Sequence, residues 1–251
     1  MTKFLYFSMI SLLIITTLIS CDSETEESNV NLNIQLQYDG TPVFSGMEVD
    51  YALAYPVFFS KYSFYLSDIA LTSSDGDYLL SAVEFVDLLA GKSDAASAEA
   101  GTSLSYTKVP ITDYSGLKFN IGVSSTVNAT APNIYEAGTP LANTGEYWEG
   151  WSSYIFHKIE GRIDPTGSGT FETALALHIG SDAAFRSVEV NTPISINLEN
   201  ETIHMILDLA EALKTETGMF DLLETPQVHH LGVLPKVLPI LDATKNAITI
   251  Q

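Results

Sequence analysis

From Val30 to Tyr38 the chain alternates. Val30, Leu32, Ile34, Leu36 and Tyr38 are apolar, and Asn31, Asn33, Gln35 and Gln37 between them are polar. Successive side chains of a strand point to opposite faces, so a period of two places one face over a core and the other in water. A surface helix would need a period near 3.6. The alternation returns at Leu117, Phe119, Ile121 and Val123, and at Phe171, Thr173, Leu175, Leu177 and Ile179. It recurs less cleanly at Ile203, Met205 and Leu207. Asp75-Gly76, between Tyr62–Leu71 and Tyr78–Leu80, is a hairpin signal. Ala247–Ile250 reads as a short closing strand.

Helix formers concentrate at Leu209–Lys214, with a second short helix expected near Val237–Asn246. Residues 92–103 and 126–145 read as long polar connections, the places where binding functions usually sit. Many short strands, few helices and no internal linker predict an all-β fold. The expectation is a single antiparallel β-sandwich, Ig-like or jelly-roll-like, over residues 30–251, with one or two short helices near the C-terminus.

The first twenty residues read as an address. Lys3 precedes an apolar run that ends in Leu18-Ile19-Ser20-Cys21, which looks like a bacterial lipobox. The expectation is a signal peptide at 1–20, a lipidated Cys21, and an acidic tether at 21–29. Cys21 is the only cysteine, which excludes intramolecular disulfides and cysteine zinc sites. Acidic residues after that cysteine resemble the surface-export signal of Bacteroidetes lipoproteins. An outer-membrane lipoprotein facing the periplasm or the cell surface is therefore expected, with the membrane as a partner through its lipid. A net charge of −20 argues against nucleic acid, whose phosphates need clustered Lys and Arg.

Four stretches, in order, resemble the MbnP-like family, exported β-sandwich proteins named after a methanobactin-associated copper-binding protein. They are Tyr62–Leu71 with the Asp75-Gly76 turn, Leu117–Val123, Tyr147–Gly161 and Ala176–Gly180. The third is the most specific, because a Trp-rich loop runs into a Tyr-x-x-x-Lys-x-Glu-Gly strand. The resemblance implies copper binding outside the cytoplasm. It also implies a possible kynurenine made from Trp148 by a partner di-haem peroxidase of the MbnH type. Trp148 matches the first position of the family's Trp-x-Trp pattern, whereas Gly150 stands at the second and Trp151 lies one residue further on.

Read by themselves, the residues offer His157, His178, His204, His229 and His230 as imidazoles, ligands suited to copper, zinc or nickel. His178 shares a strand face with Ala174 and Ala176, so it should be exposed or line a cavity. His204 and Asp208 share a parity, so the carboxylate is a candidate to orient that imidazole. His229 and His230 are adjacent, and in a strand only one of them can face a given site. Lys158 and Glu160, at i and i+2, are expected to pair on one face. Tyr147, Trp148, Trp151 and Tyr154 form an aromatic cluster able to stack on a sugar ring or a peptide.

No GxSxG elbow, P-loop or dinucleotide fingerprint is present, and no enzyme is expected. Two functional expectations follow. One is a lipid-anchored metal-binding protein, with copper the expected ion, acting in acquisition or sequestration through His178 and Trp148, then His229, His230 or His204. The other is a metal-free surface module that binds glycans or proteins through Tyr147, Trp148, Trp151 and Tyr154.

Overall fold

The computed structural model describes residues 26–251 except residue 198. The expected signal peptide and Cys21 lie outside the described residues. The main strands are β1 (Glu27–Tyr38), β2 (Tyr55–Thr72), β3 (Tyr78–Asp87), β4 (Thr102–Pro110) and β5 (Gly116–Ile121). They continue with β6 (Ser153–Ile163), β7 (Thr173–Gly180), β8 (Arg186–Val190), β9 (Asn200–Asp208) and β10 (Ile248–Ile250). The helices are α1 (Ala95–Glu99), α2 (Ser125–Asn128), α3 (Leu209–Ala212) and α4 (Leu234–Asn246). None is long and apolar enough to cross a membrane.

A five-stranded sheet runs β10-β9-β1-(Thr41–Pro42), with β4 also paired to β1. A nine-stranded sheet runs β8-β5-β2-β6-β7-(Gln227–Val228), with β3, Glu48–Tyr51 and Tyr147–Trp148 added to it. The inward halves of the alternating strands close one core. Val30, Leu32, Ile34 and Leu36 of β1, with Ile203, Met205 and Leu207 of β9, are buried together with Tyr62, Phe64, Ile159, Leu177 and Ile179 of the other sheet. The period of two is thus satisfied by burial on one face, as expected for an all-β sandwich.

The sandwich is mixed, where the sequence predicted wholly antiparallel strands. β1 pairs with β9 in parallel from Asn29↔Asn200 to Gln37↔Asp208, and β7 pairs in parallel with Gln227–Val228. Period two fixes which face is buried but not the direction of the neighbour. β1 also begins at Glu27 rather than Val30, because Glu27 and Ser28 still find ladder partners in Pro110 and Val109. The two expected C-terminal helices are α3 and α4. Helices α1 and α2 fall where the sequence predicts polar connections, and each is a single turn held by a side-chain cap, Asp94 on Ser97 N and Ser124 on Val127 N. In α4, Leu234, Val237, Ile240, Leu241 and Thr244 form the buried stripe. Pro239 lies inside α4, where it cannot donate to the Pro235 carbonyl one turn earlier.

The 18-residue β2 organises the larger sheet. Phe64 is opposite both Val86 of β3 and His157 of β6, while Leu66 is opposite Glu84 of β3 and Ile121 of β5. One edge of β2 therefore carries β3, and the other is shared end to end by β6 and β5. Parity along β6 then sends Lys158 and Glu160 outward, away from the core residues His157 and Ile159.

Candidate functional site

On that outer face, the β6–β7 register sets Lys158 opposite His178 and Glu160 opposite Ala176. His178 is mostly buried, with 14% of its side chain exposed, and its Nε2 lies 2.7 Å from Glu160 Oε1. The contact holds the Glu160 carboxyl below its ordinary range, chiefly through the hydrogen bond from His178. His178 Nδ1 is buried with no hydrogen-bond partner among the described residues. A carboxylate that engages one ring nitrogen fixes the ring and leaves the other nitrogen to a ligand.

His229 reaches the same place through β-pairing. Gln227 and Val228 lie beside Ala176 and Leu177 in a parallel ladder, which delivers the next residue beside His178. The two imidazole centroids are 5.5 Å apart at 81°. The indole of Trp148 completes a triangle, 5.7 Å from His178 and 5.7 Å from His229. Desolvation lowers the His229 pKa from its ordinary value, aided by its neighbours His178 and His230.

Trp151 stacks behind Trp148, with centroids 5.3 Å apart and planes at 23°. A 3₁₀ turn at Glu149–Trp151, closed by Ser152 in the left-handed region at φ 49°, folds Trp151 back onto its neighbour. Gly150 leaves room for this packing, since a Cβ there would stand 3.0 Å from Trp148 Nε1, a tight contact. The one-residue displacement of the second tryptophan is thus the turn itself.

The loop is clamped to the sheet by charge. Lys158 Nζ lies 2.7 Å from Glu146 Oε2 and donates to the Gly145 carbonyl at 2.9 Å. Both side chains of that pair are nearly buried, 8% and 5% exposed. Lys61 bridges Glu146 at 3.4 Å and Asp87 at 2.9 Å. The expected Lys158–Glu160 pair is therefore corrected: Lys158 turns to Glu146 in the loop, and Glu160 turns to His178.

Three other expectations change. His204 is exposed on β9 of the five-stranded sheet, opposite Asn33, and is not brought to the triangle. Its supposed partner Asp208 instead caps α3, accepting from Ala210 N at 2.9 Å. His230, exposed like His229, lies in the bend that follows Gln227–Val228 and stands beside Gly232, and it is not brought to the triangle. Tyr154 is fully buried; its hydroxyl donates to the Leu141 carbonyl and its ring meets Tyr65 and Tyr147 edge-on. It belongs to the core beneath the loop, which removes it from any binding surface. Tyr147 is half-buried against it.

Glu160 was missed as a site residue. Parity alone did not reveal it, because only the register of β6 against β7 brings Glu160 to His178. Among the described residues, no group of three or more His, Cys, Asp and Glu side chains is arranged to hold a metal ion. The site offers two imidazoles and an indole face.

The MbnP family model matches residues 27–230, which span both sheets and end on the two adjacent histidines. Among solved structures, MbnP from Methylosinus trichosporium is similar, with a TM-score of 0.52 at 17% identity over 75% of this chain and 78% of that one. At that identity the likeness concerns the fold. No curated protein matches the sequence significantly. With four-fifths of its length covered by one family model, and its sandwich shared with that structure, the chain belongs to the MbnP family.

Proposed function

We propose that the protein is a copper-binding MbnP-family lipoprotein, anchored through Cys21 at the outer membrane and acting in copper acquisition or sequestration. The observation that carries this is the triangle of His178, His229 and Trp148, with His178 Nδ1 buried and unpartnered. Metal–imidazole bonds of about 2.0–2.1 Å keep two ligating rings within about 6 Å, centre to centre, so a separation of 5.5 Å suits a shared ion. Imidazole donors suit copper, and the indole face adds a cation–π wall. In this reading His178 and His229 hold the ion, Glu160 orients His178, and Trp151 backs Trp148. The ion would be the cargo that these ligands carry, and no reaction is assigned to it.

By resemblance, Trp148 is also the position at which a di-haem peroxidase would form kynurenine. Mass spectrometry of the peptide carrying Trp148, isolated from the native host, reads that modification directly. The rival reading, an aromatic platform for glycans or proteins, is weakened by the stacking geometry. Trp148 is stacked on Trp151 and has both imidazoles 5.7 Å from its ring, and Tyr154 is out of reach.

Equilibrium dialysis of the apo protein against copper tests the proposal. One equivalent bound by the parent, and lost in both His178→Ala and His229→Ala while His204→Ala binds normally, supports it. Equal binding by all four proteins refutes it.

A further inference from the structure

The opposite side of the molecule carries a different kind of surface. Along the outer face of the five-stranded sheet, β1 presents Asn29, Asn31, Asn33, Gln35 and Gln37, and β9 sets Asn200, Thr202 and His204 against the first three. On the other flank, β4 aligns Ser105 with Asn31 and Ser103 with Asn33. In a chain with 31 acidic residues, this run holds no acidic and no basic side chain apart from the single imidazole. A groove of about 460 Å³ crosses it, within the about 300–1,000 Å³ usual for small-ligand sites. Glu99 and His204 are the only ionisable side chains along its lining.

The amides in the groove are pinned at one end and open at the other. Ser105 donates to Asn31 Oδ1 at 2.7 Å, and this leaves the Asn31 amide nitrogen as a free donor. Asn33 Nδ2 donates to the Ala100 carbonyl and to Ser103 Oγ, both at 2.9 Å, which leaves its oxygen as a free acceptor. Among the described residues, no side-chain hydrogen bond engages Thr202 or the His204 ring. Ile206, half-buried beside them, adds an apolar strip. Fixed donors and acceptors that alternate over a neutral floor bind without a large ordering cost.

From this arrangement we infer a second binding site, specific for a neutral oligosaccharide. Vicinal hydroxyls both donate and accept, which matches Asn31 and Asn33 side by side, and the sugar's C–H face matches Ile206. A phosphate or nucleic-acid ligand would need cations that the lining lacks. A metal ion would find one imidazole and no cluster of acidic partners. The inference does not depend on copper binding, because the two sites lie on the outer faces of different sheets.

The test is a side-chain amide NMR titration of the whole protein with maltohexaose, cellohexaose and mannohexaose, each in turn. At least one should shift the Asn31 and Asn33 resonances and leave the Trp148 and Trp151 indole signals in place. His204→Ala and Asn31→Ala, both at solvent-accessible positions, should each weaken that sugar about tenfold, equivalent to about 1.4 kcal/mol. No shift with any of the three sugars overturns the proposal. So do shifts confined to the indoles, an equal response to an acidic hexagalacturonate, or sedimentation showing that the face is covered by a second copy of the chain.

Discussion

Single side chains at the site fall into two environments. His178 has a carboxylate at one nitrogen and no hydrogen-bond partner at the other, whereas His157, on the core side of β6, has neither nitrogen bonded among the described residues. His157 is fully buried against Tyr62, with ring centroids 4.7 Å apart, and desolvation drives its pKa from 6.5 down to about 3. The unfolded chain therefore takes up a proton below about pH 6.5 that the folded chain refuses until about pH 3. This contribution to stability is complete above pH 6.5 and is lost as pH falls through that window, by about 1.4 kcal/mol per pH unit within it. His157→Phe should flatten that acid slope. It should also stabilise the fold at pH 7 by about 1–2 kcal/mol, because two unpaired buried polar atoms are removed. Urea melts at pH 7 and pH 5 check both, and an unchanged slope contradicts the assignment. At the other ring, Glu160→Gln should weaken copper binding about tenfold or more with little loss of stability, because Glu160 is partly exposed and acts through the His178 ring. Dialysis alongside a thermal melt separates those two effects.

Elements, not side chains, decide what meets what. The loop that carries Trp148 is held by a buried ion pair, and a broken buried pair costs more than an intact one contributes. Lys158→Met strands Glu146 beside Lys61 alone and should cost about 2–4 kcal/mol. It should also release the loop, which would appear as loss of the stacked-indole signal in near-ultraviolet circular dichroism. Retention of that signal would mean that the loop is held by packing alone. The strands were legible because alternation is local, and so was the parity of His178. The pairing of residues 227–228 with β7 was not, because nothing in Val228-His229-His230 states which strand edge it will join. That register chose His229 over His230. Glu160 was hidden for the same reason: an i, i+2 spacing suggested Lys158 as its partner, while the loop supplied Glu146 to Lys158 instead.

At the scale of the whole molecule, one hydrogen-bonded ladder joins β1 to a strand about two-thirds of the chain away. Asn29 and Asn200 are 171 residues apart and still touch. Such pairing is beyond any local pattern, which is why the sandwich was legible and its parallel ladder was not. Closing it needs long-range contacts, so refolding should be slow, in the millisecond-to-second range usual for β-sandwiches, as stopped-flow fluorescence would show. The net charge of −20 also acts on the whole fold. Added salt screens that self-repulsion and should raise the melting temperature, whereas a fall would point to the surface ion pairs as the dominant electrostatic contribution. Copper binding is proposed where imidazoles from distant segments and an indole meet. Anomalous diffraction at the copper edge from copper-loaded crystals tests it most directly. A single peak is expected within bonding distance of both His178 and His229, beside Trp148. A peak at His204 or at surface carboxylates, with nothing in the triangle, would contradict it.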